Sequence, residues 1–166
     1  FLPGCVPASG PAEPEVPEAR EAAFIAQYIR TNGYHEDVEY PVVTVIRTRE
    51  ELEAYREANA DRYDLSQWDV SERYDEAYFE SNALLLVLLE EPSGSNRHEV
   101  RSVLLLDDGM EIGIDRILPE IGTTDMAEWH IFIEIAAEDL VEGEIAVRFE
   151  DNLAGRHRFS IKGDGA

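Results

Sequence analysis

The sequence predicts an α+β domain, mostly antiparallel β-sheet arranged as a sandwich-like meander, with two short helices before the main strand run. Three observations carry this expectation. Four strand-like segments crowd residues 83–136 with only short links between them. Asp107-Asp108-Gly109 is a strong hairpin turn, and the helix-capping signals all lie earlier in the chain.

In chain order, residues 22–32 (AAFIAQYIRTN) alternate Phe24, Ala26 and Tyr28 against Ile25, Gln27 and Ile29, a strand that Asn32-Gly33 ends. Residues 41–47 (PVVTVIR) are short and β-branched, a second strand. Thr48-Arg49-Glu50-Glu51 is a capping box, and the helix it opens is expected to bury Leu52, Tyr55 and Ala58. A second helix is expected over about residues 70–79, capped by Asp69 with Glu72 and turning Tyr74, Ala77 and Tyr78 inward. Strands then follow at 83–90, 97–106, 110–118 and 128–136. The aliphatic run ALLLVLL at 83–89 is too short to span a bilayer and suits a strand covered on both faces. Residues 144–150 (EIAVRFE) alternate, and 156–162 (RHRFSIK) are expected to return on them through residues 152–155.

These elements form one domain, residues 20–166, of roughly 145 residues, a usual size for a single core. Residues 1–19 stand apart. Between Val6 and Ala19 the chain holds four prolines and three glutamates and almost nothing large and apolar, so it reads as an extended linker able to reach ~40 Å. Before it, Leu2-Pro3-Gly4-Cys5 resembles the lipobox of bacterial lipoproteins, with Phe1 and Leu2 as the end of an apolar signal segment. That resemblance implies lipid attachment at Cys5, the chain's one cysteine, and an extracytoplasmic domain tethered to the membrane.

Thirty-six acidic residues against 14 basic ones leave a net charge of -22, which repels nucleic-acid phosphates and anionic headgroups and argues against nucleic-acid binding. Lys162 is the only lysine, a composition shared by arginine-rich genomes and by halophile surfaces.

Links between successive antiparallel strands alternate ends of a sheet, so the loops after the first and third strands of the main run share one end. These loops are Glu91-Pro92-Ser93-Gly94-Ser95-Asn96 and the segment 119–127, which leads to Trp129. Rich in glycine and hydroxyls, they are the expected recognition surface. The candidate partner-binding residues are Pro92, Ser93, Gly94, Ser95, Asn96, Arg97, Thr123, Thr124, Asp125 and Trp129, although Trp129 also begins a period-two face with Ile131, Ile133 and Ile135.

The run YFESNALLLVLLEEPSGSNRHEV and the later DRILPEIGTTDMAEWHIFIEI resemble the C-terminal domain of the protease-complex subunit PrcB and related uncharacterised bacterial lipoproteins. The shared features are an aliphatic strand, a Pro-Ser/Thr-Gly turn, a hydrophilic start to the next strand and a Pro-centred strand end. Gly94-Ser95-Asn96-Arg97 departs from the family, which carries two adjacent glycines and an aromatic there. The resemblance implies an accessory domain of secreted proteins serving a protease assembly, and no catalysis. The Pro-x-x-Gly loop beside a Trp-bearing loop also resembles chagasin-like cysteine-protease inhibitors, more weakly.

Catalytic chemistry is not expected. His35, His98, His130 and His157 lack helical zinc spacing and HExxH is absent, while Pro-Ser-Gly-Ser is not a nucleophile elbow. His98 and His130 sit on strands near the loops, where a histidine would orient a loop carboxylate or make ordinary strand hydrogen bonds. Carboxylate pairs are too numerous in so acidic a chain to be informative; Glu120 and Asp125 flank a loop and with backbone carbonyls suit Ca²⁺, but their spacing matches no EF-hand, so no metal and no cofactor is assigned. The sequence therefore points to a lipid-anchored, extracytoplasmic, non-enzymatic domain whose partner is another extracytoplasmic protein such as a protease. The alternative readings are a carbohydrate or small-ligand module of an uptake system, with Trp68 or Trp129 stacking on a sugar, and a chagasin-like inhibitor, whose two loops would form one wedge.

Overall fold

A computed structural model describes Gly4, residues 19–31, 35–63, Leu65 and residues 72–153. Cys5, the linker through Glu18, Asn32-Gly33, Trp68, Asp69, the start of the second expected helix and the expected strand at 156–162 lie outside these residues.

The chain forms β1 (Arg20–Glu21), β2 (Ile25–Thr31), β3 (Val42–Ile46), α1 (Arg49–Asn59), α2 (Glu76–Phe79), β4 (Asn82–Glu91), β5 (Arg97–Leu106), β6 (Gly109–Leu118), β7 (Ala127–Ala136), a 3₁₀ turn at Ala137–Asp139, and β8 (Glu144–Leu153). Two four-stranded sheets result, one ordered β1-β5-β6-β8 and the other β2-β7-β4-β3. The class is α+β with antiparallel strands dominant, and two helices precede the main strand run. Each successive pair in that run is antiparallel where it is bonded, but the run is shared between sheets: β5 and β6 make a hairpin in the first sheet, while β4 and β7 pair in the second.

Period two explains the layering. Ala83, Leu85, Val87 and Leu89 of β4 face inward with Ile131, Ile133 and Ile135 of β7, against Val103, Leu105, Ile112 and Ile114 of the opposite sheet. The intervening residues Leu84, Leu86 and Phe132 face outward and are covered by Leu52 of α1 and by Tyr74, which stacks on Phe132 at 5.9 Å. The aliphatic run in β4 is thus buried on both faces, by a sheet on one side and by the helical layer on the other. The register slips between Val100 and Ser102, and there the Val100 amide donates to the Tyr28 hydroxyl at 2.7 Å.

Local signals placed most elements, with four differences. Thr48 caps α1 by accepting from the Glu51 amide at 3.1 Å, but the Glu51 carboxylate reaches the amide of Arg47, not that of Thr48. Ala58 and Ala77, expected inside, are exposed, because α1 rests on the sheet chiefly through Leu52 and α2 is only four residues long. Asp75, whose side chain accepts from the Tyr78 amide, caps α2. Finally, Asn152 and Leu153 continue β8, which lies parallel to β6 across the sandwich from β7, where a hairpin back from 144–150 was expected. The crossover turns at Gly143, whose φ of 129° is open to glycine and strained for other residues.

Candidate functional site

The 92–96 loop carries the chain from β4 into the opposite sheet, and the 119–126 loop carries it back to β7, so both cross the same end of the sandwich. There they bond to each other. The Gly94 amide donates to the Asp125 carbonyl at 2.9 Å. The Thr123 amide lies 3.0 Å from Ser93 Oγ and 3.2 Å from Ser95 Oγ, and the Ser93 and Thr123 hydroxyls are 3.2 Å apart. Arg30 at the end of β2 donates to Asp125 Oδ2 at 2.6 Å, closing the junction from the side. The Thr123 side chain and then Arg30 hold the Asp125 carboxyl down at about 2. A Cβ at position 94 would overlap Asp125 Oδ2 and stand 2.6 Å from Arg30 Nη2, so a larger residue there would push this ion pair aside.

Beyond this junction the longer loop projects apolar groups: Ile121 is 88% exposed and Met126 44%. Pro92, Arg97, Thr123, Thr124 and Asp125 are also exposed, and Ser93 and Ser95 are half-buried. Three of the expected binding residues are buried and do other work. Gly94 is enclosed by the junction. Asn96 donates to Glu91 at 2.7 Å. Trp129 packs in the inter-sheet core, with the Arg97 guanidinium 5.6 Å from its ring centroid, so neither a partner nor a sugar finds an open indole face. Arg97 donates to the Gly94 and Asn96 carbonyls.

Beneath the loops the core turns polar. Glu91, at the inward-facing end of β4, is fully buried. It accepts from Arg116 Nε and Nη2, both at 2.7 Å, and lies 2.5 Å from His98 Nε2. Burial alone would raise the Glu91 carboxyl; hydrogen bonds from Arg116, His98 and Asn96 outweigh it and hold the group at about 2. His98 does orient a carboxylate, but the partner is Glu91 at the strand end. His98 Nδ1 and Trp129 Nε1 have no hydrogen-bond partner among the described residues.

A second polar group lies on the outer face of the same sheet. The Glu128 carboxylate, buried, accepts from the Tyr40 hydroxyl and lies 3.3 Å from His35 Nδ1 and 3.4 Å from Thr31 Oγ1. His130 Nδ1 is 2.9 Å from Thr31 Oγ1, and His130 Nε2 is 3.0 Å from the Tyr55 hydroxyl. One tautomer satisfies every bond: Tyr55 donates to Nε2, and Nδ1–H donates to Thr31, which donates on to Glu128. Burial pushes the Glu128 carboxyl up, against the bonds from Tyr40 and His35, and burial pushes His130 down to about 4.

The sequence reading passed over Arg30, Arg116 and Glu128, and it included Glu91, Ile121 and Met126 in the loops without singling them out. A signal for two of them existed. Glu91 continues the inward series 83-85-87-89 and Arg116 the series 110-112-114, and an acid and a base at core positions demand each other. Among the described residues no helix is long and apolar enough to cross a membrane, and no three His, Asp or Glu side chains are grouped to hold a metal. Asp125, one half of the Ca²⁺ pair, is occupied by Arg30. Comparison with family models, curated proteins and solved structures gives no match.

Proposed function

We propose that this chain is a non-enzymatic, lipid-anchored extracytoplasmic domain that binds another protein through the paired loops 91–97 and 119–129. One observation carries the reading: two loops bonded into a single unit hold Ile121 and Met126 out in water. Exposed apolar groups on a preordered loop suit a protein interface, because little ordering entropy opposes binding and each side chain buried there contributes. The PrcB-like pattern makes a protease assembly the first partner to test. The lipobox-like Leu2-Pro3-Gly4-Cys5 supports the anchor, and Cys5→Ser should move the protein from the membrane to the soluble fraction.

The loop reading is tested by placing a photo-crosslinking residue at Thr124 and recovering the adduct from cell-surface extract, with and without Ile121→Ser and Met126→Ser. One dominant adduct, lost in the double variant, is the expected result. Equal crosslinking by the double variant would overturn it.

A further inference from the structure

Beside the loops, on the open side of the sandwich between edge strands β3 and β8, lies a cleft of about 240 Å³ lined by Tyr40, Pro41, Glu90, Glu91, Arg116 and Phe149 among others. Pro92, the first residue of the shorter loop, is also in its wall, so the cleft is continuous with the proposed interface. Its size decides between classes of occupant: small-molecule pockets run to roughly 300–1,000 Å³, and this volume suits one long side chain better than a sugar chain.

Its chemistry selects a cation. Two aromatic rings, Tyr40 and Phe149, stand in the walls. The Tyr40 hydroxyl is tied to Glu128, which holds that ring in place, and Phe149 faces inward on an edge strand yet remains 37% exposed. Arg116 would repel a positive guest, but it is answered twice, by Glu91 at 2.7 Å and by Asp151 at 3.0 Å. Glu90, which pairs across the sheet with Glu128 and so lies on the outer face, adds a carboxylate at the rim of the cleft. The Glu90 carboxylate makes no ion pair among the described residues and is exposed. A planar cation against aromatic faces, with one carboxylate free to pair, describes an arginine side chain better than a lysine. We infer that the cleft receives an arginine side chain of the protein held by the loops. The inference rests on the protein-binding reading for the source of that arginine, but the site can be measured without it.

The probe is N-acetyl-arginine amide, titrated into the full chain and followed by amide NMR, with the citrulline analogue as the uncharged control. Saturable shifts centred on Glu90, Glu91 and Phe149 are expected, absent with citrulline. Glu90→Gln and Phe149→Ala should each weaken binding about fivefold, the upper range for one exposed ion pair or cation–π contact. Shifts that spread over the acidic surface without saturating, that citrulline reproduces, or that survive both substitutions would overturn the inference. The two readings fail separately. If Ile121→Ser and Met126→Ser abolish crosslinking while the probe finds no site, the cleft inference alone falls. If the probe binds and crosslinking ignores the loop variants, the loop reading alone falls.

Discussion

The backbone amide of Thr123 donates to the side-chain oxygen of Ser93 at 3.0 Å, 30 positions back in the chain. Through that bond the loop that leaves one sheet is tied to the loop that returns to it. The tie orders the tip before any partner arrives, which removes roughly 0.5–1.5 kcal/mol of ordering cost for each side chain already held.

Removing both acceptors should loosen the tip and little else. Ser93→Ala with Ser95→Ala is expected to cost about 1 kcal/mol of global stability, as for partly exposed neutral hydrogen bonds. It should also speed hydrogen exchange of the Thr123 amide at least about tenfold while β4 and β7 amides keep their protection. An unchanged Thr123 rate would mean that the loops stay joined without the serines.

Neighbouring residues 96 and 97 should behave oppositely. Asn96→Ala withdraws a donor from the buried Glu91 carboxylate and is expected to cost ~1–3 kcal/mol in denaturant titration. Arg97→Ala loses two carbonyl contacts and a ring contact at an exposed site, for ~1 kcal/mol or less. A larger loss at Arg97 than at Asn96 would contradict the placement of the two side chains.

Glu91 sets the acid limit of the inner cluster. Its carboxyl is held below the value of an unfolded chain, so its contribution is fully present above about pH 4.5 and is lost as pH falls toward 2. Glu91→Gln, with Arg116 then left short of a charge partner, should unfold more easily at pH 7 yet show a flatter stability curve between about pH 4.5 and 2. An identical slope in wild type and variant would remove Glu91 as the source.

His130 acts in a different window. Its folded form resists protonation down to about 4 while the unfolded imidazole takes a proton near 6.5, so stability falls as pH drops from 6.5 to 4 and is then level. The full shift corresponds to at most about 3 kcal/mol. Glu128, raised by burial, works against it, because a carboxyl that keeps its proton when folded gains stability on acidification. Thr31 and the Tyr55 and Tyr63 rings complete the surroundings. Subtracting the pH–stability curve of His130→Gln from that of wild type isolates the histidine, and a difference that does not change between pH 6.5 and 4 would refute its role.

Much of this architecture is legible residue by residue. Thr48 before Glu51 marks a helix start, Asp107-Asp108 a hairpin, and ALLLVLL a strand covered on both faces, because each depends on dihedral preference or side-chain period over a few neighbours. The site was legible in position more than in role: alternating strand ends brought the 92–96 and 119–126 loops together, as their hydrogen bonds record. Asn96 looked like a recognition residue because polarity is visible in a sequence and burial is not, whereas Trp129 sits on the period-two core face that its spacing from Ile131, Ile133 and Ile135 suggests. Asn96 turned inward once Glu91 lay beneath it.

By itself, then, the sequence determined the α+β class, most strand positions and the end of the fold at which its long loops meet, since these follow from short-range periodicity and the alternation of chain direction. Only the tertiary structure decided that β4 pairs with β7 while β5 pairs with β6, and that β8 runs parallel beside β6. The same holds for the rim of the core, where Glu91, His98 and Arg116 come from three strands in two sheets. A buried charge is tolerable only when its partners arrive from elsewhere in the chain, and no local pattern says which strands will bring them.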